Sequence, residues 1–353
     1  MSFKQAFQIF VLFSLVSCTG HYRMDDFTKV KKIDAHVHLH TTDTFFLDQA
    51  FKDNFSLITI NTEIYAGQLQ EQEEIATILT RRFPQQVHYL SAFSTKNWDS
   101  ASWADSALAC IIRSKENGAS GIKLWKNIGT TLRDKDSNFV TIDNPKFDTI
   151  FSFLEQHHIP VLGHFGDPKN GWLPVEKMTI RGDSNYFANH PEYHFYNHPE
   201  IPHYTAQNVA RDHVLDRHPN LIFSGAHLAS LEWSVDTLAA WFDKYPAATV
   251  DLAGRICYFE QQAIDNHQKV RDFIMKYHDR FIYGTDLGSR KDDTDTEGTK
   301  RYCHGIWLHD WQFFVTADTM TSSQFQGKFC GLLLPKEVVE DIYYNNAERV
   351  YLK

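Results

Sequence analysis

Eight short apolar runs, each followed by a longer amphipathic stretch, set the strongest limit on how this chain can fold. The runs are Ile33–His38, Ser56–Ile60, Val87–Phe93, Gly121–Trp125, Pro160–His164, Leu221–His227, Thr249–Ala253 and Phe281–Asp286. Helical patterns lie between them near 69–82, 101–116, 146–158, 204–218, 234–244 and 264–279, with two more near 305–318 and 335–349. A strand and a helix repeated eight times predict an α/β chain folded as a (β/α)8 TIM barrel. Strand order is not written in such a pattern, so a doubly wound sheet is the alternative. With 353 residues, 42% of them hydrophobic, the chain can bury a core of that size. A formal charge of −9 and scattered Lys and Arg argue against a nucleic-acid surface.

Polar residues collect where a barrel would place its chemistry. His36, His38, His164, His227 and Asp286 all sit at or near the C-terminal ends of their runs, the end at which barrel enzymes react. Side chains two apart on a strand share a face, so His36 and His38 can address one ion. Neutral imidazoles and a carboxylate suit Zn2+ with a position left open for water. The five groups can therefore converge on one metal-centred site, with one zinc ion per chain expected and a second ion as an option. Asp286 can also move a proton during attack by water, and His227 can stabilise charge or protonate a leaving group. Lys123 and Arg255 are candidates for holding an anionic small-molecule substrate. The long connection 165–203, with Trp172, Arg181, His190, His194 and His198, needs function or internal packing to justify its length. A lid that brings Trp172 to the substrate is the expectation, and the histidines there form either a solvated surface or a second metal site.

The N-terminus carries a different signal. Ala6–Val16 is almost wholly apolar, too short for a stable membrane span but suited to a signal-peptide core. The small residue before Cys18 resembles the lipobox of bacterial lipoproteins, which implies cleavage before Cys18 and lipid attachment to it. The expected division is a signal peptide over 1–17, a mobile tether over 18–30 and the barrel over 31–353. The expected location is the bacterial envelope, facing the periplasm, with Thr19 consistent with sorting to an outer membrane. Cys110, Cys257, Cys303 and Cys330 show no Cys-x-x-Cys unit and are expected to be packing thiols.

Taken in order, several motifs resemble the amidohydrolase superfamily, most closely the amidohydrolase family 2 branch. They are Ile33-Asp34-Ala35-His36-Val37-His38, Gly121-Ile122-Lys123-Leu124, Pro160-Val161-Leu162-Gly163-His164, Gly225-Ala226-His227, Tyr283-Gly284-Thr285-Asp286 and Asn346-Ala347-Glu348-Arg349. The resemblance implies divalent-metal ligation by His36, His38, His164 and Asp286, and either a second ion or acid–base work at His227. It also raises carboxylation of Lys123 as a bridge between two ions. Hydrolysis of a small ester, lactone or amide is the first expectation. Decarboxylation of a small aromatic or unsaturated acid is the second, and a catalytically idle envelope binding protein the third.

Overall fold

The computed structural model describes residues 20–64 and 67–353. All eight expected strands form: β1 (Lys32–His40), β2 (Phe55–Ile60), β3 (Val87–Ser91), β4 (Gly121–Leu124), β5 (Val161–Gly163), β6 (Phe223–Gly225), β7 (Thr249–Asp251) and β8 (Phe281–Ile282), followed by β9 (Leu287–Arg290). The order β8-β7-β6-β5-β4-β3-β2-β1-β9 never reverses, which excludes the doubly wound alternative. β8 and β9 act as two halves of one interrupted strand, the first pairing with β7 and the second with β1, both parallel. Between them Ala35 N donates to Tyr283 O at 3.0 Å and Asp286 N to His36 O at 2.8 Å, so the sheet closes into a TIM barrel.

Strands buried on both faces need apolar residues on both, which is why the runs read as nearly continuous. Ile33, Ala35, Ile58, Ile60, Leu90 and Leu162 belong to the cluster that fills the barrel interior, and Ala347, Val350 and Tyr351 of the last helix close its floor. The opposite faces of the strands, including Leu57, Val87, Ile122 and Val161, pack in the larger cluster beneath the helices. β1 breaks this alternation. Its register against β2 shifts between Asp34 and Val37. Below the shift the odd residues Ile33 and Ala35 point into the barrel, and above it Val37 and Leu39 join the outer core. An irregularity of this kind re-aims a side chain near a site, and here it turns His36 and His38 toward the mouth.

Three helical boundaries differ from expectation. The helix expected at 264–279 is Ile256–Lys276, starting earlier because Ile256, Tyr258 and Phe259 are already buried in its first turn. The one expected at 305–318 is Thr296–Val315, opened by Asp295, whose side chain accepts from Gly298 N. The last pattern is a short helix, Lys336–Glu340, continued by wider turns to Leu352.

Residues 20–30 do not form the expected loose tether. Lys336 N donates to Gly20 O at 3.0 Å, and Trp311 Nε1 donates to Arg23 O at 3.2 Å. Phe27 is buried, and its carbonyl accepts from the buried Lys32 ammonium, which also reaches Val30 O at 2.8 Å. The rings of Phe27, Phe55 and Trp311 lie 4.6–5.5 Å from that ammonium. Aromatic and backbone partners therefore strap the segment to the barrel. Ala6–Val16 and Cys18 lie outside the described residues. No described helix is long and apolar enough to cross a membrane.

Candidate active site

The C-terminal strand ends open into a cavity of about 1400 Å3. At its base His38 Nε2 lies 3.0 Å from Asp286 Oδ1, and His36 Nε2 lies 3.5 Å from the same oxygen. These three residues offer ligand atoms within 4.8 Å of one another. Such separations suit donors arranged round one ion at bond lengths of roughly 2.0–2.2 Å. The tautomers suit it as well. His36 Nδ1 lies 2.6 Å from Asp251 Oδ2; donating there leaves Nε2 with a lone pair toward Asp286. Burial holds the His36 pKa below the ordinary imidazole value. Burial also opposes ionisation of Asp286, but the His38 hydrogen bond and the nearby imidazoles outweigh it and keep the carboxyl well below its usual range. The donor set thus fits a divalent metal.

His227 reaches the same space by a different route. His227, Leu228, Ala229 and Ser230 all have left-handed backbones, with φ of 56, 57, 54 and 58°. Each non-glycine residue there costs roughly 1–2 kcal/mol. The turn is held from several sides. His227 N donates to Asp251 Oδ1 at 2.6 Å, and Ser230 Oγ donates to Phe165 O and Gly166 O at 3.3 and 3.2 Å. Arg211 donates to Ala229 O, and Tyr204 OH donates to Ser230 O. His227 Nδ1 faces Ala253 O at 2.8 Å. A carbonyl only accepts, so Nδ1 carries the proton and Nε2 is the acceptor. Burial, with His164 nearby, pushes the His227 pKa well below the ordinary value and keeps the ring neutral. In that state it is a ligand or a base, and cannot give a proton to a leaving group.

His164 stands beside this group instead of completing it. Its ring centroid is 4.4 Å from that of His227, and its Nε2 lies 3.4 Å from Asp167 Oδ1 without a hydrogen bond. It belongs neither to the His36/His38/Asp286 group nor to the His36/His227/Asp251 group, the two sets among the described residues whose ligand atoms lie within 4.8 Å of one another. Three of the four expected ligands thus converge closely, and His164 lines the same cavity beside them. Asp167 is itself gripped by Lys126 Nζ at 3.0 and 2.9 Å, which ties the β5 end to the β4 end. Burial lowers the His164 pKa to about 4.

Lys123 is buried at 1% exposure, lines the cavity and has no hydrogen-bond partner among the described residues. Burial lowers its pKa to about 8, against the pull of Asp251 and Asp286. Arg255 also lines the cavity, but it is engaged: NH1 lies 3.3 Å from Asp183 Oδ1 and donates to Gly254 O at 3.2 Å. Asp183 further accepts from Tyr258 and from Asn170 at 2.9 Å, which ties the 165–203 connection over the β7 end.

Trp172 is not a cavity residue. Its ring packs 4.7 Å from Phe195 and 5.5 Å from Tyr204, because the 3-10 turn Lys169–Trp172 directs it into its own loop. Tyr186, Phe187, His190 and Tyr193 are the aromatic groups of that loop that do line the cavity. The loop histidines form no metal group among the described residues. His194 and His198 pair with Leu173 O and Pro191 O at 2.9 Å, and His203 accepts from Thr205 N at 3.3 Å.

The amidohydrolase family model matches residues 97–353. The chain belongs to the amidohydrolase family. The match begins beyond β3, so His36 and His38 join this amidohydrolase site by geometry. An uncharacterised TIM-barrel protein from Bordetella bronchiseptica is similar in fold, with a TM-score of 0.52 at 12% identity over 91% of this chain and 98% of that one. A 2,6-dihydroxybenzoate decarboxylase complexed with 2,6-dihydroxybenzoate has a TM-score of 0.50 at 13% identity over 92% of this chain and 99% of that one. At these identities the likeness is one of fold. No curated protein matches the sequence. The family is metal-dependent, and this amidohydrolase is an enzyme with a small-molecule cavity above a His/Asp centre.

Proposed function

We propose that this amidohydrolase hydrolyses a small ester, lactone or amide, with zinc as its single ion. The observation that carries the proposal is the state of the acceptors: neutral His36 and His227 present lone pairs beside an ionised Asp286. Held by His36, His38 and Asp286, a divalent ion would supply polarisation of a substrate oxygen and a lowered pKa for water. Asp286 receives the proton released as water attacks and passes it to the departing oxygen or nitrogen, since neutral His227 has none to give there. His227 Nε2 accepts a hydrogen bond from the attacking water and orients it. Asp251 joins the parts, since one oxygen faces His36 Nδ1 and the other accepts from His227 N and Ala253 N.

The unpaired Lys123 ammonium favours a substrate that carries a carboxylate close to the reacting carbon. It also supports the second reading, decarboxylation of an aromatic or unsaturated acid, because a buried ammonium can hold the carboxylate in either reaction. A panel of aryl esters, lactones and N-acyl amides, assayed with zinc-loaded protein by acid release, separates them. Hydrolysis without carbon dioxide is expected. Carbon dioxide from an aromatic acid, with every hydrolytic substrate inert, would sink the hydrolase assignment.

Location belongs to the same proposal. Removal of residues 1–17 and lipid on Cys18 would hold the enzyme in the bacterial envelope, with Thr19 favouring an outer membrane. Labelled lipid should enter the wild type and not Cys18→Ser; unprocessed protein in the cytoplasm would refute it.

A further inference from the structure

The strap formed by residues 20–31 has no catalytic part, yet it buries an ammonium to hold itself down. Among the described residues Lys32 makes no ion pair, Asp53 acting on it only from a distance, and its partners are the carbonyls of Phe27 and Val30 and three aromatic rings. Taking a cation out of water costs several kcal/mol unless it is well satisfied, so this fixation of the first described residues is a costly feature. Its position in the barrel gives it a consequence. The helix Thr296–Val315 starts at the rim of the mouth with Gly298 and Thr299, lines the cavity as far down as His309 and Asp310, and ends with Trp311 and Val315 against the strap. From Gly298 at the rim to Val315, beside the His21–Met24 part of the strap, the helical rise is roughly 25 Å, while Phe27 further along the strap packs on His304 midway up the helix. Gly20 is bonded to Lys336 at the start of the segment that closes the barrel floor.

We propose that the floor of the barrel, at the Gly20 end of the strap, rests against the membrane and that the mouth of the active site faces away from it. This rests on the lipid attachment at Cys18 proposed above. Two residue steps separate Cys18 from Gly20, a reach of at most roughly 7 Å, so the anchor has too little slack to let the barrel turn over. A bilayer-resident lipid cannot reach the cavity in this orientation. The substrate is therefore a water-soluble molecule delivered from the aqueous side.

The full lipidated chain in vesicles containing a nitroxide-headgroup lipid provides the test. A bimane probe is attached at Lys29→Cys on the strap or at Asp292→Cys beside the mouth, each with Cys330→Ser to remove the exposed native thiol. Quenching at residue 29 and its loss at residue 292 is the expected result. Equal quenching, or stronger quenching at residue 292, overturns the orientation. Inserting a long Gly-Ser segment between Thr19 and Gly20 should abolish the difference without touching the barrel, and a difference that survives also counts against the short anchor as its cause. Absence of labelled lipid on the wild type sinks the attachment and the orientation together; lipid present with a quenched mouth sinks the orientation alone.

Discussion

The ends of β1 and β6 deliver imidazoles to the same space by opposite means. On β1 a slip in register re-aims a regular strand, and His36 and His38 then follow the ordinary alternation of an extended chain. On β6 the strand stops at Gly225, and four consecutive left-handed residues carry His227 inward. The first device shifts a strand face by a local irregularity. The second holds strained backbone against Asp251, Arg211, Tyr204 and the β5 connection. The difference indicates that β1 serves mainly to gather donors, whereas β6 must fix one ring in one pose, as residues in strained backbone at active sites commonly are.

The largest expected effect lies on β1. His36→Ala removes an acceptor facing Asp286 and strands the buried Asp251 carboxylate, so the protein should lose its tightly held divalent ion and its turnover. Metal content after reconstitution with zinc is the measurement, and full retention of the ion would remove β1 from the centre. Asp251→Asn is gentler and bears on both strand ends. Loss of the charged partner of His36 Nδ1 should weaken metal binding by about 10–100-fold, read by competition with a chelator. If affinity is untouched while turnover falls, Asp251 serves β6 and not β1.

Gly225→Ala addresses the turn directly. A Cβ at Gly225 would lie 2.5 Å from Ala229 Cβ and 2.9 Å from Ala229 Cα, inside the left-handed turn. A loss of about 1–3 kcal/mol is expected from such overpacking, together with reduced turnover but a retained ion. Chemical denaturation and metal analysis of one variant separate the two strand ends, and loss of the ion would show that they are not independent.

The smallest effect is on pH. His164 and His40 have pKa values lowered to about 4 by burial, against an ordinary value near 6.5. Between those limits the unfolded chain binds more protons than the folded one. Stability of the metal-free protein is therefore fully present above about pH 6.5 and falls as pH drops toward 4. His164→Asn should flatten part of that slope in thermal melts; an unchanged slope would place the protonation elsewhere.

Much of the barrel was legible because its strands need no partner to be recognised. A short apolar run between turn signals reads as a strand wherever its neighbour lies, and the spacing His36-x-His38 carries its own geometry. The left-handed turn was not legible, since His227-Leu228-Ala229-Ser230 contains neither glycine nor proline to announce it. Asp251 was passed over as one residue of an apolar run, and its meaning depends on His36, 215 positions away. Trp172 illustrates the opposite error, for an aromatic residue in a long loop is as ready to pack that loop as to meet a substrate. The strap was missed because Tyr22, Phe27 and Lys32 form no period; they make sense only against Phe55 and Trp311.

The interruption between β8 and β9 bears on how the enzyme comes into being. Asp286 sits in that gap, on the piece of chain that must find β1 before the cylinder is complete. While this seam is open, His36 and His38 have no carboxylate from the other end of the sheet, and an unclosed barrel has no complete centre to offer a metal. Ion capture would then require the closed cylinder, and a bound ion would act as a clip across this joint. Amide hydrogens of Val37–His40 and Leu287–Arg290 should accordingly exchange more slowly once zinc is added, while those of β3 and β4, on the far wall, keep the rates they had without it.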